Sequence, residues 1–307
     1  MSVRSEVLVI GILAVVLALL SPPDTAVVRD IPVAVGEILR TTSVGSGRPV
    51  VLIPGLFGAA FGYRKLVGPL AELGYRAIVI EPLGFGWSSH PRRANYSLSA
   101  QTTRIAAVLD SLGIEKALIV AHSTGASIAL RLAYQRPDLV EGILSIDGGP
   151  EETAAAPGLR RAMRFGGLLT KALLQPDAFR NEVRRAIVAN SSDTTWVTAE
   201  VLSGYTAAAT ADLSGAIDAW QGMAKSVEAE SLRVRLAECR VPVRLLVGAV
   251  PHQSGIGADE IELLRLRLTD FAMESVARSG QYIQEEQPAA VLTALGKLAA
   301  VTSYAAR

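Results

Sequence analysis

Ser123 is the residue of this sequence whose type and setting point most directly to chemistry. It lies between a short apolar stretch, residues 117–121, and a segment with helical periodicity that begins near Ala126. A serine at a sharp strand-to-helix turn is a nucleophile elbow, because the strained turn exposes the hydroxyl at the edge of the sheet. Gly125 supplies the small residue needed two positions after the serine, while Ala121 replaces the usual glycine two positions before it. The pattern predicts that Ser123 is a nucleophile.

Backbone N–H groups near Ser123 are predicted to bind an oxyanion. The N-terminus of the helix after Ser123 is the positive end of its dipole, so the N–H of Thr124 faces the place where negative charge would develop. A second donor is expected from the loop after the first buried parallel strand, which is residues 54–58. The glycines of this loop allow the N–H of Leu56 or of Phe57 to face inward, and both donors stay open.

The segments that must position these residues alternate between short apolar stretches and longer amphipathic ones from about Ile31 onward. Stretches that are apolar on both faces are typical of parallel strands covered by helices. The alternation predicts repeated βα units and an α/β fold, with a mostly parallel sheet and helices on both faces. The predicted strands are residues 49–54, 76–80, 117–121, 140–146 and 241–247, and the predicted helices are residues 63–73, 99–112, 126–135 and 288–300.

A long stretch rich in Ala, Leu and Arg, residues 149–239, interrupts this alternation and is predicted to form several helices and no strand. Inserted between two strands, it would most simply form a helical lid over the edge of the sheet where ligands bind in open α/β folds. Its apolar helices would place a hydrophobic roof over the site. The predicted division of the chain is an N-terminal segment 1–25, a core of residues 26–148 and 240–307, and the lid.

Composition and charge exclude several classes of function. The 307 residues are 50% hydrophobic and 19% charged, which is typical of a folded globular protein. With 30 basic and 29 acidic residues, the chain lacks the basic excess of a nucleic-acid-binding protein. The single cysteine, Cys239, cannot form an intrachain disulfide, and His90, His122 and His252 do not have metal-ligand spacing. We expect no nucleic-acid partner, no metal and no cofactor.

The first 25 residues predict export or attachment to a membrane. Arg4 precedes an uninterrupted apolar run, residues 7–20, which ends at the sequence Ser-Pro-Pro-Asp of residues 21–24; export signals share this order. The run is shorter than the roughly 20 residues that a spanning helix needs. Because the cleavage pattern after the run is poor, an uncleaved signal anchor is favoured slightly over a cleaved signal, and a buried N-terminal helix is the third possibility. A membrane-anchored or exported, extracytoplasmic protein is therefore expected.

Five short motifs occur along the chain in this order: PGLFG at residues 54–58, EPLGFGWS at 81–88, HSTG at 122–125, RPD at 136–138 and QEEQP at 284–288. With these motifs the sequence resembles the α/β-hydrolase superfamily over roughly residues 33–300. The resemblance implies a mostly parallel sheet, a lid inserted after the sixth strand, and a triad of Ser, an acid and His in that chain order. A serine nucleophile is similar to the esterase, lipase and C–C hydrolase branches and unlike the epoxide hydrolases and haloalkane dehalogenases, which attack with Asp.

Two positions depart from the pattern that the resemblance implies. In relatives the catalytic His follows a Gly just before the final helix, and Gln281 occupies that position here. An amide has no useful pKa near neutrality, so Gln281 cannot take the proton of Ser123 as an imidazole does. The usual acid would lie shortly after Gly248, where the chain has Pro251. Both expected partners of Ser123 are missing.

Three explanations are open. First, the base has moved: His252 follows the strand at residues 241–247, and Asp147 ends another strand at a position that some relatives use for the acid, so Ser123, His252 and Asp147 would form a relocated triad. Second, the chain is a degenerate hydrolase that keeps the pocket and binds a ligand. Third, Ser123 acts with the oxyanion hole, a water and Gln281, or Gln281 is an engineered replacement of His. Loss of triad members still leaves about 10³–10⁴-fold catalysis over water in a well-studied protease.

The sequence thus predicts a serine hydrolase that acts on an ester or related acyl bond of a small apolar substrate, with a degenerate or rearranged triad. The alternative is a catalytically inactive homologue that binds a ligand or a partner. A ring nitrogen of His252 within hydrogen-bond reach of the Ser123 hydroxyl, directly or through one water, would support the relocated base.

Overall fold

One eight-stranded sheet organises the chain in a computed structural model, which describes residues 25–56, 58–153 and 175–305. Its strands are β1 (Val27–Ala34), β2 (Glu37–Val44), β3 (Arg48–Ile53), β4 (Tyr75–Ile80), β5 (Ala117–His122), β6 (Val140–Ile146), β7 (Val243–Gly248) and β8 (Phe271–Val276). Their order in the sheet is β1-β2-β4-β3-β5-β6-β7-β8. Strands β3 to β8 pair in parallel, and β1 and β2 form an antiparallel hairpin that pairs antiparallel with β4.

Helices cover both faces of this sheet. In the core they are α1 (Arg64–Glu72), α2 (Leu98–Ser111), α3 (Thr124–Gln135), α8 (Ala258–Arg267), α9 (Ile283–Glu286) and α10 (Pro288–Ala305). Because side chains alternate along a strand, Val51 and Ile53 of β3 pack with α2 and α3 on one face, while Val50 and Leu52 pack with α1 and α10 on the other. The predicted α/β class, with helices on both faces of a mostly parallel sheet, is confirmed.

Strands β1, β2 and β8 are not predicted from the sequence. The five predicted strands correspond to β3 to β7, and every residue of β5 is buried. By contrast, β1 and β8 are the edge strands of the sheet, and most of their residues are exposed. An edge strand that is exposed carries no continuous apolar run, so its sequence lacks the pattern that reveals a central strand.

The described part of the predicted lid is helical. Between β6 and β7 lie α4 (Pro176–Ala189), α5 (Ala199–Ala211), α6 (Leu213–Lys225) and the short α7 (Leu232–Arg235). Residues 154–174 of the predicted lid lie outside the described residues, as does the predicted N-terminal anchor apart from Thr25. In the part of the chain that the structure covers, no helix is both long enough and apolar enough to cross a membrane.

The sheet brings the chemistry-bearing residues to one edge. Ser123 follows β5 and Asp147 follows β6, and both strands run in the same direction. The N–H of Ser123 donates to the carbonyl of Ile146 at 3.0 Å, and the N–H of Asp147 donates to the carbonyl of Leu246 in β7 at 2.8 Å. These hydrogen bonds join the carboxyl ends of β5, β6 and β7. The predicted lid segment begins at the same edge of the sheet, because it follows β6 in the chain.

Candidate active site

Ser123 has the backbone conformation of an elbow. Its φ is 49° and its ψ is −124°, between the last residue of β5 and the first residue of α3. A side chain at positive φ is strained, and such strain persists only where the surroundings enforce it. The surroundings here are tight, because a Cβ added to Gly125 would lie 2.4 Å from the carbonyl oxygen of Ile53. A Cβ added to Gly55 would lie 3.1 Å from the Cβ of Ser123, so both glycines allow the close approach that the elbow needs.

Two of the three predicted oxyanion donors belong to the described residues. Thr124 is buried and begins α3, so its N–H is among the first-turn donors that have no partner within the helix. Leu56 lies in the loop after β3, where the N–H of Gly58 donates to the carbonyl of Gly55 at 3.2 Å and closes a turn. Phe57 lies outside the described residues. The oxyanion role of all three stays a prediction.

Gln281 is the hydrogen-bond partner of the Ser123 hydroxyl among the described residues. The amide Nε2 of Gln281 lies 3.4 Å from Ser123 Oγ and also donates to the carbonyl oxygen of Ser254. The Ser254 contact fixes the orientation of the amide, because two carbonyl oxygens cannot share a hydrogen bond. Gln281 therefore presents N–H to the hydroxyl and has no acceptor there to take the serine proton.

His252 and Asp147 form the pair that the relocated triad requires. His252 Nε2 lies 2.7 Å from Asp147 Oδ2, and Nδ1 lies 2.8 Å from the carbonyl oxygen of Val250. Since the carbonyl only accepts, Nδ1 carries a proton, and a second proton lies between the ring and the carboxyl. The hydrogen bond to Asp147 raises the pKa of His252, and burial raises the pKa of Asp147.

The pair does not reach Ser123 by a direct hydrogen bond among the described residues. Both ring nitrogens of His252 are already engaged, as above. Gly255 packs on the pair: a Cβ there would lie 2.4 Å from His252 Nε2 and 3.1 Å from Asp147 Oδ2. Asp147 itself has a φ of 47°, and its buried Oδ1 has no hydrogen-bond partner within the described part of the chain. The structure therefore brings two members of the proposed triad together, and a bridge to Ser123 through water stays a prediction.

His122 supports the backbone of position 281. Its buried Nε2 lies 3.2 Å from the carbonyl oxygen of Gln281, to which it donates, and its ring lies 5.4 Å from the ring of Tyr282. Burial lowers the pKa of His122 to about 4, so the ring is neutral at pH 7. This histidine is a packing and hydrogen-bonding residue of the elbow rather than a base.

A cavity of about 70 Å³ lies between the loop after β3 and helices α4, α5 and α6 of the predicted lid. Its lining is mostly apolar and includes Leu56, Phe61, Trp87, Phe179, Tyr205 and Trp220. The loop that carries the predicted oxyanion donor therefore also forms one wall of an apolar cavity. Within the described residues, no group of three or more His, Cys, Asp or Glu side chains is arranged to hold a metal.

Two residues of this site carry no signal in the sequence. Ser254 contributes a backbone carbonyl, which any residue type provides. Asn190, at the end of α4, contributes its side-chain oxygen to the N–H of Ser254 at 2.7 Å. In the sequence, Asn190 is only the first of the polar residues 190–193, and nothing there points to Ser254.

Comparison with known proteins gives one family and several relatives. A family model described as alpha/beta hydrolase fold matches residues 48–202. An epoxide hydrolase of Caballeronia sordidicola is 32% identical over 124 residues, which are 40% of this chain and 38% of that protein. The sn-1-specific diacylglycerol lipase ABHD11 of Mus musculus is 31% identical over 105 residues, which are 34% of this chain and 34% of that protein. The matched part is thus little more than a third of the length of these relatives.

Solved structures share the architecture over most of the chain. The structure of the epoxide hydrolase CorEH without ligand has a TM-score of 0.75 with this chain, at 20% sequence identity, and the match covers 90% of this chain and 100% of that one. At this identity the likeness shows the fold alone.

Proposed function

The chain belongs to the α/β-hydrolase fold family, and on that premise we propose that it is a serine hydrolase of an ester or related acyl bond in a small apolar molecule. The observation that carries the proposal is the strained conformation of Ser123, with φ 49° directly before α3. The apolar cavity beside Leu56 supports an apolar substrate. A serine hydroxyl at the elbow favours attack on an acyl carbon, and no cofactor is required for it.

In the proposed reaction, Ser123 Oγ bonds to the carbonyl carbon of the ester and gives up its proton. The carbonyl oxygen becomes an oxyanion, bound by the N–H of Thr124 and by an N–H of Leu56 or Phe57. Collapse of this intermediate breaks the bond to the alcohol oxygen, and the alcohol leaves with a proton while the acyl group stays on Ser123. Water then attacks the acyl carbon, which releases the acid and restores the hydroxyl.

We assign the base of this reaction to His252, held by Asp147. Of the two side chains in this pair, the imidazole has the ordinary pKa that lies nearer to neutrality, which suits a general base. To act as the base, His252 would first lose its Nδ1 proton to solvent. Nδ1 would then accept a hydrogen bond from a water that reaches Ser123, in place of its own hydrogen bond to the carbonyl of Val250, while the Nε2 proton stays with Asp147. The exchange costs one hydrogen bond, and this cost predicts slow turnover.

Hydrolysis of p-nitrophenyl butyrate by the purified protein tests the proposal. Release of nitrophenol should exceed the buffer rate and fall to it in Ser123→Ala. The variant His252→Gln should lower kcat by about tenfold or more, with KM nearly unchanged, because general-base catalysis contributes about 10²–10⁴-fold where it operates fully. Equal rates in the parent protein and in Ser123→Ala would refute the proposal, and an unchanged kcat in His252→Gln would remove His252 from it.

The hydrogen bond from Gln281 to Ser123 favours a second candidate function. A site that presents only N–H groups to a carbonyl or carboxylate oxygen can bind such a ligand without turning it over. Under this candidate the chain is an inactive homologue that binds a small apolar acyl compound. Calorimetric binding of butyrate or of a butyrate ester without product formation would support it.

The location and partners of the chain are also proposals. We propose attachment to a membrane, or export, through residues 1–25, with the catalytic core outside the cytoplasm and a small apolar substrate rather than nucleic acid as its partner. The apolar run of residues 7–20 after Arg4 supports this. Fractionation of the native host, followed by N-terminal sequencing of the recovered protein, separates an uncleaved anchor from a cleaved signal. Recovery of the chain in the cytoplasmic fraction with residues 1–25 intact would refute both.

A further inference from the structure

We infer that Asn190 of the lid is a positioning residue for Gln281, and this inference rests on the proposed role of Ser123. Asn190 follows α4 and is 5% exposed. Its side-chain Oδ1 accepts a hydrogen bond from the N–H of Ser254 at 2.7 Å, and its backbone carbonyl accepts one from the N–H of Gln281 at 2.8 Å. One lid residue thus holds both backbone segments that determine where the Gln281 amide lies.

The Asn190 amide has one orientation. Its Nδ2 donates to the carbonyl of Ala186 in α4 at 2.8 Å, which leaves Oδ1 facing Ser254. Both polar ends of the side chain are therefore used. A buried polar group that loses its hydrogen-bond partner costs free energy. The hydrogen bond to Asn190 therefore holds the loop that carries Ser254 against the end of α4.

Close backbone packing at Gly280 and Gly248 also holds Asn190 and the loop before α9 together. A Cβ added to Gly280 would lie 2.3 Å from the carbonyl oxygen of Asn190 and 3.1 Å from the Cα of Ser191. A Cβ added to Gly248 would lie 2.2 Å from the carbonyl oxygen of Gly280. Three backbone segments, from β7, the loop before α9 and the lid, therefore stack without intervening side chains, so displacement of one displaces the next.

Glu286 of the core links the lid segment to the loop before α9. Its carboxylate accepts hydrogen bonds from the N–H groups of Ser192 and Asp193 through Oε1, both at 2.7 Å. Its Oε2 accepts one from the N–H of Gly280 at 2.7 Å. A single carboxylate thus accepts hydrogen bonds from residues 190–193, called here the lid turn, and from the loop that carries position 281.

The consequence is a path from the lid to the nucleophile. Asn190 sets the Ser254 carbonyl, Ser254 fixes the Gln281 amide, and that amide donates to Ser123 Oγ. The lid turn thus acts on the reactivity of Ser123 through Gln281, besides covering the core.

A double-mutant cycle tests this path. The measured quantity is the second-order rate constant for labelling Ser123 with a fluorophosphonate, in the parent protein and in Gln281→Ala, each with and without Asn190→Ala. If Asn190 acts through Gln281, Asn190→Ala changes the rate by about fivefold in the parent and by less than about twofold in Gln281→Ala. The same factor in both backgrounds would overturn the inference, because it would show a general effect on the fold.

Ser191→Ala is the matched control. Its hydroxyl donates to the carbonyl of Ile187 at 2.8 Å, at the same end of α4, and among the described residues this hydroxyl has no hydrogen bond to Ser254 or Gln281. This variant loses a hydrogen bond of the lid helix and should leave the labelling rate unchanged. A change equal to that of Asn190→Ala would count against the inference.

A second readout does not depend on reactivity. The side-chain NH₂ signals of Gln281 in a ¹⁵N–¹H spectrum, assigned by their loss in Gln281→Ala, should shift in Asn190→Ala and stay in place in Ser191→Ala. Shifted signals in a protein that never labels would refute the proposed function and leave the inference standing. Unshifted signals in Asn190→Ala would overturn the inference.

Discussion

Gln281 donates a hydrogen bond from Nε2 to the hydroxyl oxygen of Ser123 across 3.4 Å. The donor direction follows from the Ser254 carbonyl, which accepts from the same nitrogen. A nucleophilic serine needs an acceptor for its proton at this place. The elbow is therefore built, while the group that faces its hydroxyl has the wrong polarity for a base.

The first prediction concerns the variant Gln281→His. An imidazole at this position would find the Ser254 carbonyl as acceptor for one ring N–H, and its other nitrogen would face Ser123. We predict a rise in kcat for p-nitrophenyl butyrate of about 10²-fold or more, the lower range for a positioned general base. Steady-state kinetics measure it, and Gln281→Leu, which removes the amide and adds no base, is the control. A rise of the same size in Gln281→Leu would mean that release of the hydroxyl, rather than a new base, is responsible.

The second prediction concerns His122 and pH. Burial holds its folded-state pKa at about 4, below the unfolded value of about 6.5, so the unfolded chain binds the proton more readily. Stability should therefore decline as pH falls from about 6.5 to about 4, with a contribution from this group of about 3 kcal/mol. Urea unfolding of the parent and of His122→Gln over this range measures the difference. Parallel pH profiles for the two proteins would contradict the assignment.

The third prediction concerns the glycine after the elbow. In Gly125→Ala the new Cβ would meet the carbonyl oxygen of Ile53, which is rigid backbone. We expect a loss of about 1–3 kcal/mol in the free energy of unfolding. Gly296 of α10 is the matched control, because a Cβ there meets nothing within 4 Å. Gly296→Ala should stabilise the protein by about 0.5–1 kcal/mol, and equal effects of the two changes would contradict the packing described here.

The fourth prediction concerns strain at Ser123. Ser123→Gly and Ser123→Ala both remove the hydroxyl, but only glycine adopts a φ of 49° without a steric penalty. Ser123→Gly should therefore be the more stable of the two, by about 1–3 kcal/mol. Thermal or denaturant unfolding of the pair measures this, and a less stable glycine variant would show that the elbow is unstrained.

Local pattern accounts for what the sequence predicts well. The strand, turn and helix around Ser123 are contiguous in the chain, so the apolar run and the glycine at position 125 suffice to predict the elbow. The proximity of His252 and Asp147 follows from parallel neighbouring strands that end at one edge. Exposed edge strands such as β1 and β8 show no comparable run and are not predicted.

Long-range backbone contacts account for what the sequence does not predict. Asn190 and Ser254 are 64 positions apart, and their hydrogen bond uses a main-chain N–H that no residue type specifies. The orientation of the His252 ring depends on the carbonyl of Val250 two residues earlier, a detail of loop geometry. Residue type shows that His252 is able to act as a base, and only the fold shows which atoms occupy its nitrogens.

The most direct measurement is the intact mass of the protein after incubation with a fluorophosphonate. We predict that the parent protein gains one phosphonyl group slowly, that Gln281→His gains it faster, and that Ser123→Ala gains none. This result would identify Ser123 as a nucleophile held without a direct base. Unchanged mass in both the parent and Gln281→His, or labelling that persists in Ser123→Ala, would contradict the account.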